Sequence, residues 1–328
     1  MESEQEPRQN AAIQGPIRIL ISSCLQGEKV RYDGGHKRDP FLVETLGRFV
    51  EYFPVCPELE CGFPVPREPM RLWGTPDTPQ ILGAVSGTNF TELMHAWCRK
   101  KVRNLEQFDL SGYICRKESP SCGMYRVKMY GIYDTPARVA MGIFTKTFME
   151  HFPLIPMEED GRLQDPSLRE MFIERVFTLR RFRESFRHGK SSGALVKFHT
   201  DHKMQILSHG RTQYKEMGGL ITQAKTLPVD ELYGRYQQLL LETLSQRTTP
   251  AKCADVMTHM MGYLRDRLTH EEKQELLELI DRYRNRILPM VVPATMFRHY
   301  IRKYKIAYLE RQVFLNPHPA ELMLRNHV

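Results

Sequence analysis

The chain has 328 residues, a formal net charge of +8, 41% hydrophobic and 26% charged residues. That length suits about two domains, and no apolar run approaches the ~20 residues of a membrane span. The charge suits an anionic ligand without demanding nucleic acid. The N-terminus, MESEQEPRQNAAIQGP, lacks the apolar stretch of a signal peptide. It reads as a disordered tail over residues 1–15, and with neither a span nor a signal peptide in view the cytoplasm is the expected location. Residues 17–22 (IRILIS) form a compact apolar run, the mark of a buried strand. A glycine-rich, charged loop follows. Residues 41–53 are helix-like, with Phe41, Leu42 and Leu46 at helical spacing, and 52–55 form a brief second strand. The proline-rich stretch 62–79 is expected to be mostly irregular. Residues 89–105 have helical periodicity, and 110–115 read as a third strand.

This alternation predicts a parallel or mixed sheet flanked by helices: an α/β, Rossmann-like N-terminal domain. Proline, glycine and an acidic cluster at 153–167 place a boundary there, giving domains at 16–158 and 168–328. Beyond it the pattern is all-α. Residues 195–209 put Leu195, His199, His202, Ile206 and His209 on one helix face. Thr269 with Glu272 forms a capping-box pattern, and Leu276, Ile280, Tyr283 and Ile287 make an apolar stripe. No internal repeat or low-complexity tract is evident.

Seven cysteines, an odd number in a long chain, argue against a disulfide framework. Three of them occupy separate signatures, each behind a short apolar run: Cys24 in SSCL, Cys56 in VCPE and Cys122 in SPSCG. Loops that follow strands open on one edge of an α/β sheet, where ligands bind. Three thiols at that edge can hold a soft metal or an iron–sulfur cluster, with one metal position left open. Cys98, Cys115 and Cys253 read as small buried hydrophobes. Cys61, five residues after Cys56, is either a nearby thiol or a spare ligand.

The motifs SSCLQGEKVRYDGGHKRD, PVCPELECGFPVPREPMRL and SPSCG together resemble the bacterial DUF523 family, whose characterised members are TudS-type 2-thiouracil desulfurases. The motifs LVKFHTDHKMQILSHG, VPATMFRHYI and QVFLNPHPAELMLRNHV resemble the DUF1722, or YbgA-like, domain. The first resemblance implies a 4Fe–4S cluster on Cys24, Cys56 and Cys122, with the fourth iron free. It also implies removal of sulfur from a thiolated uracil, giving uracil and sulfide. Glu58 and Ser119 match the family's catalytic positions. A thiocarbonyl sulfur is a soft donor and an open iron is a suitable Lewis acid. Glu58 is then the general base and acid, and Ser119 relays a proton or hydrogen-bonds the ring.

Other residues have competing readings. Arg31 and Asp33, in RYDGG, form either a substrate-binding loop or a tight turn with a salt bridge. Arg67 either binds an anionic ligand or pairs with Glu68 or Asp33. The three histidines fit packed, hydrogen-bonded residues better than a metal site. The basic stretch 175–203 fits a solvated helix face better than an RNA contact. The expected partner is a small thiolated pyrimidine such as 2-thiouracil. The alternatives are thiolated nucleosides, nucleotides or RNA bases, a non-enzymatic metal- or redox-sensing module with Cys61 as fourth ligand, and a zinc protein. No membrane partner is expected, and oligomeric state is not legible.

Overall fold

In a computed structural model of the chain, residues 15–131 and 135–327 are described; the N-terminal tail read from the sequence lies almost wholly outside them. The chain divides into two units, Pro16–Phe172 and the residues from Ile173 onward.

The first unit is built on four parallel strands: β1 (Arg18–Ser22), β2 (Glu51–Val55), β5 (Gly112–Cys115) and β8 (Met157–Glu159), in the order β2-β1-β5-β8. The strand supplying Leu20 and Ile21 is central and buried on both faces, which is why its middle, Ile19–Ile21, is continuously apolar. β2 lies at the edge, and an edge strand tolerates Pro54, which cannot donate to a ladder. β8 falls in the stretch 153–167, which looks like a linker because its MEE carries charge. Those acids are buried but engaged: Arg162 Nε donates to Glu158 at 2.8 Å, and Glu159 accepts from the Met124 and Tyr125 amides at 2.7 and 2.9 Å.

A second sheet, β4-β3-β6-β7, comprises β3 (Met70–Gly74), β4 (Pro79–Gly83), β6 (Val127–Tyr130) and β7 (Ala137–Ala140). The expectation that 62–79 is mostly irregular holds for 62–69 and 75–78, but β3 crosses that stretch and β4 begins at its last residue. β3 and β4 form an antiparallel hairpin that sends Leu72 and Ile81 into the core. The period-2 signal is present, but Pro69, Pro76 and Pro79 crowd the pair and hide it. The helix expected over 41–53 is also different. It is a π turn at Phe41–Thr45 and a 3-10 turn at Leu46–Arg48, after which β2 begins.

Four helices complete the unit: α1 (Ser23–Gln26), α2 (Pro57–Glu60), α3 (Thr91–Leu105) and α4 (Ile143–His151). α3 and α4 pack together over the parallel sheet through aromatic contacts. Trp97 meets Phe144 at 5.4 Å between ring centroids, and Tyr113 meets Phe148 at 4.9 Å. Offset and tilted ring pairs at such separations are the favoured arrangement.

α5 (Pro166–Glu184) carries the chain into the second unit. There follow α6 (Ser192–His209), α7 (Arg211–Thr222), α8 (Val229–Ser245), α9 (Pro250–Met261), α10 (His270–Arg284), α11 (Val291–Tyr304) and α12 (Ala307–Glu310). The expected all-α architecture is observed. Thr269 and Glu272 form the capping box at the start of α10. Leu276 and Ile280 are buried as the stripe requires, but Ile287 lies past the helix end and is 60% exposed.

The histidines of α6 are buried and hydrogen-bonded. His199 Nδ1 meets the Tyr236 hydroxyl at 3.1 Å, His202 Nδ1 the Phe198 carbonyl at 2.8 Å, and His209 Nδ1 the Gln246 carbonyl at 2.8 Å. The basic stretch is largely consumed within the unit. Arg180 and Arg187 pair with Glu184, Lys190 with Asp230 and Lys197 with Asp201, while Arg181 is buried against Thr178, His202 and the Pro317 carbonyl. No described helix is long and apolar enough to cross a membrane.

Candidate functional site

The strand order sets the location of the site. From β1 the chain runs outward to β2 on one side, and later to β5 and β8 on the other. The order reverses between β1 and β5, and the crevice at the carboxyl ends of strands there is where open α/β sheets bind ligands. Cys24 lies just after β1, Cys56 just after β2, and Cys122 in the loop after β5. All three line one cavity of about 230 Å3, together with Glu58 and Ser119.

Each thiol is fixed by local chemistry. Cys24 is the second residue of α1 and is 8% exposed. Cys56 is the N-cap of α2; Pro57 starts that helix without an amide to satisfy, and the Cys56 amide donates to Glu60 Oε1 at 3.1 Å. Cys122 is held by the start of α4. The Ile143 amide donates to the Pro120 carbonyl at 3.1 Å, the Phe144 amide to the Ser121 carbonyl at 3.0 Å, and Thr145 Oγ1 to the Cys122 carbonyl at 2.5 Å. Gly142 makes this approach possible, since a Cβ there would stand 2.6 Å from the Ser121 carbonyl and 2.8 Å from the Cys122 nitrogen.

Glu58 is gripped from two sides. Arg67 donates to Oε2 through Nε at 3.0 Å and Nη2 at 2.5 Å, and Ser121 Oγ donates to Oε1 at 2.8 Å. Ser119 Oγ stands 3.0 Å from Ser121 Oγ. The partner of Arg67 is therefore Glu58, neither Glu68 nor Asp33. The rest of its guanidinium is engaged by the Val30 and Pro64 carbonyls at 3.0 and 3.2 Å. Glu68 instead binds the Val85 and Ser86 amides. Arg31 lines the cavity and pairs with Asp33 at 3.4 Å, whereas Asp33 is exposed and does not line it. Both readings of RYDGG thus have a structural counterpart: a wall residue, and a turn with a salt bridge.

Burial pushes the Cys24 thiol up to about 11 against the pull of the Arg116 and Arg31 charges, and burial likewise raises Cys56 and Cys122. Buried thiols of this kind become good ligands when a cation takes the place of the proton. Sequence reasoning missed Ser121, Arg116 and Lys117, which also line the cavity. Ser121 sits inside the SPSCG motif, where its hydroxyl was open to consideration. Arg116 is paired with Asp160, at the end of the unrecognised β8, so nothing local marked it.

All seven cysteines are free. Cys61 does not line the cavity; its sulfur packs against Met94 Sδ at 3.6 Å. Cys98, Cys115 and Cys253 lie in hydrophobic cores or against them. Among the described residues no three His, Cys, Asp or Glu side chains converge as a single-ion site requires. The donor set at the cavity is three separated soft thiols, suited to thiophilic metals.

Fold and site together define an α/β protein with a three-cysteine cavity at its topological switch point, followed by a helical unit. Residues 19–160 match the family model for 2-thiouracil desulfurase, and residues 203–319 match DUF1722, a family of unknown function. The uncharacterized protein YbgA of Escherichia coli (strain K12) is 29% identical over 153 residues, covering 46% of this chain and 90% of YbgA. The uncharacterized protein YbbK of Bacillus subtilis (strain 168) is 34% identical over 110 residues, covering 32% of this chain and 72% of YbbK. A solved structure of TudS, a 4Fe–4S-dependent thiouracil desulfidase, is 24% identical with a TM-score of 0.39, covering 47% of this chain and 97% of that one. The chain belongs to the 2-thiouracil desulfurase (DUF523) family through its N-terminal region and carries a DUF1722 domain at its C-terminus.

Proposed function

We propose that this protein is a desulfurase of thiolated pyrimidines, with 2-thiouracil as the model substrate and sulfide as a product. The observation that carries this reading is the meeting of Cys24, Cys56 and Cys122 with Glu58 and Ser119 in one cavity, from three separate segments of the chain. The donor set fits a 4Fe–4S cluster. A cluster takes each thiolate on a different iron, so its ligands stand apart around a cavity and do not crowd one point. Cys24, Cys56 and Cys122 would hold it. Its chemistry there would be Lewis-acid polarisation of the thiocarbonyl through an open iron.

The chain's own groups supply the rest. The overall conversion replaces C=S by C=O, consuming water and giving hydrogen sulfide, with no net change in electrons. It needs a base for the attacking water and an acid for the departing sulfur. Glu58 is suited to both because Arg67 and Ser121 fix its carboxylate at the cavity wall. Arg31, Arg116 and Lys117 add positive charge to a cavity that must receive a polarised, anion-forming substrate.

The test is anaerobic purification and reconstitution, followed by visible absorption and a sulfide assay with 2-thiouracil. The expected result is a broad band near ~400 nm, lost in Cys24→Ala, Cys56→Ala and Cys122→Ala and retained in Cys61→Ala. Glu58→Gln should keep the band and lose sulfide release, by about 100-fold or more in kcat. A colourless reconstituted protein, or a fully active Glu58→Gln, would overturn the reading.

A further inference from the structure

Two guanidinium–carboxylate pairs stand at the cavity, and they are built in opposite senses. Arg67 and Glu58 follow β2, whereas Arg116 and Asp160 follow β5 and β8. In the order β2-β1-β5-β8 the two pairs flank the loop after β1 from its two sides. In the first pair the guanidinium is spent. Arg67 gives Nε and Nη2 to Glu58 Oε2 and also donates to the Val30 and Pro64 carbonyls. Glu58 Oε1 accepts from the Ser121 hydroxyl and keeps a free lone pair at the cavity wall. In the second pair the carboxylate is spent. Asp160 lies outside the cavity lining, with its side chain 10% exposed; Oδ1 accepts from the Lys117 amide at 2.8 Å and Oδ2 from Arg116 Nη1. Arg116 lines the cavity, and among the described residues its Nε and Nη2 have no partner. Its backbone is tied down as well. The Arg116 amide donates to Ser22 Oγ at 3.0 Å, and the Asp160 amide to the neighbouring Cys115 carbonyl at 3.0 Å.

We propose that Arg116, oriented by Asp160, binds a ring carbonyl of the substrate and so selects oxo-pyrimidines over amino-pyrimidines. An arginine offers donors and no acceptor. The open Nε–Nη2 edge of Arg116 suits a carbonyl oxygen. An amino group at that ring position would set donor against donor and leave both unpaired in the cavity, which is how a site rejects a near-isostere. Across the β1 loop, Glu58 offers the complementary acceptor to a ring N–H. A ligand that meets both walls carries C=O and N–H on one planar ring, as 2-thiouracil does. The other cations of the cavity are less suited to reading an edge. Arg31 is paired with an exposed Asp33, and Lys117 is a point charge on a flexible stem. Asp160 is the positioning residue: it fixes the plane of the Arg116 guanidinium without reaching the ligand, so the donors stand ready before binding.

This inference rests on the desulfurase reading, and two measurements separate their failures. The first is sulfide release by the full-length reconstituted protein from 2-thiouracil and from 2-thiocytosine, which carries an amino group in place of the ring carbonyl. Wild type should prefer 2-thiouracil by about 100-fold or more in kcat/KM. Arg116→Gln, whose amide can turn either a donor or an acceptor to the ring, should bring the two substrates within about 10-fold, the loss falling on 2-thiouracil as a raised KM. Arg116→Lys, still a donor only, should keep the sign of the preference. Asp160→Asn should retain the visible band and weaken 2-thiouracil alone, whereas a general loss of structure would lower both. Equal losses on the two substrates in Arg116→Gln, or a wild type indifferent to them, would overturn the recognition. The second measurement, calorimetric titration with uracil and cytosine, needs no turnover. Uracil bound in preference to cytosine by wild type but not by Arg116→Gln upholds the role of Arg116; if sulfide is then never released, the desulfurase reading alone falls. Sulfide released without discrimination sinks the recognition and leaves the desulfurase reading standing. Neither base bound and no sulfide released removes both.

Discussion

Arg67 shows what one side chain contributes to the cavity. Its guanidinium is almost enclosed, with 5% of the side chain exposed, and it faces a Glu58 side chain that is 14% exposed. The pair need not add net stability, because both charges were taken out of water. Removing one member is a different matter, since it strands a buried charge. Arg67→Met is expected to lower stability by about 3 kcal/mol, whereas Arg67→Met combined with Glu58→Gln should recover much of the loss. Thermal melting of the two variants checks this, and equal melting temperatures would show that no charge had been stranded. The pairing was hidden from the sequence. Glu58 stands on α2 and Arg67 in the following proline-rich loop, and Glu68 and Asp33 were equally near along the chain or by charge. What chose among them was the path of that loop back over α2, which brings the Arg67 amide to the Tyr32 carbonyl.

At the scale of elements, the turn around Cys122 depends on the helix behind it. The amides that open α4 satisfy the Pro120 and Ser121 carbonyls, and Gly142 lets the two backbones touch. Gly142→Ala has no strained dihedral to resist, as φ is −63° and ψ 143°, but its methyl would overlap the Ser121 carbonyl. The turn must shift, at a cost of about 1–3 kcal/mol. Reduced thermal stability with weakened visible absorption after reconstitution is the expected outcome; unchanged values for both would show that the turn can yield freely. The strands were legible in proportion to their burial. β1 and β5 have buried apolar centres and could be read directly. β3 and β4 alternate as strands should, but proline masks them. β8 is three residues of which two are glutamates, and no local signal outweighs that. Its carboxylates are tolerated only because Arg162 and the amides of Met124 and Tyr125, distant in sequence or in the next turn, come to meet them.

At the scale of the whole molecule, acid sensitivity has a definable source in the helical unit. Burial, aided by the Lys203 charge, holds His199 down at about 4 against an ordinary 6.5. Above pH 6.5 neither the folded nor the unfolded chain protonates this ring, and it contributes nothing. Between 6.5 and 4 the unfolded chain takes up the proton and the folded chain does not, so stability falls as pH is lowered through that window. The loss attributable to His199 is about 3 kcal/mol when complete. His199→Gln keeps a partner for the Tyr236 hydroxyl and removes the titration. Urea unfolding at pH 7 and pH 4.5 should show a smaller drop in the variant than in the wild type; identical drops would assign the acid sensitivity elsewhere.

The arrangement of strands also imposes a schedule. β1 and β2 are joined by a local excursion, but β5 must return across the entire intervening hairpin and α3 before it can lie beside β1. Such long-range pairing closes late, because chain entropy opposes it until the flanking contacts exist. A nascent chain that ends before residue 122 holds two of the three thiols and lacks the turn that anchors the third. Iron acquisition, on the proposed reading, therefore waits on completion of the sheet rather than on the first two cysteines, and colour during refolding should appear only once β5 has docked.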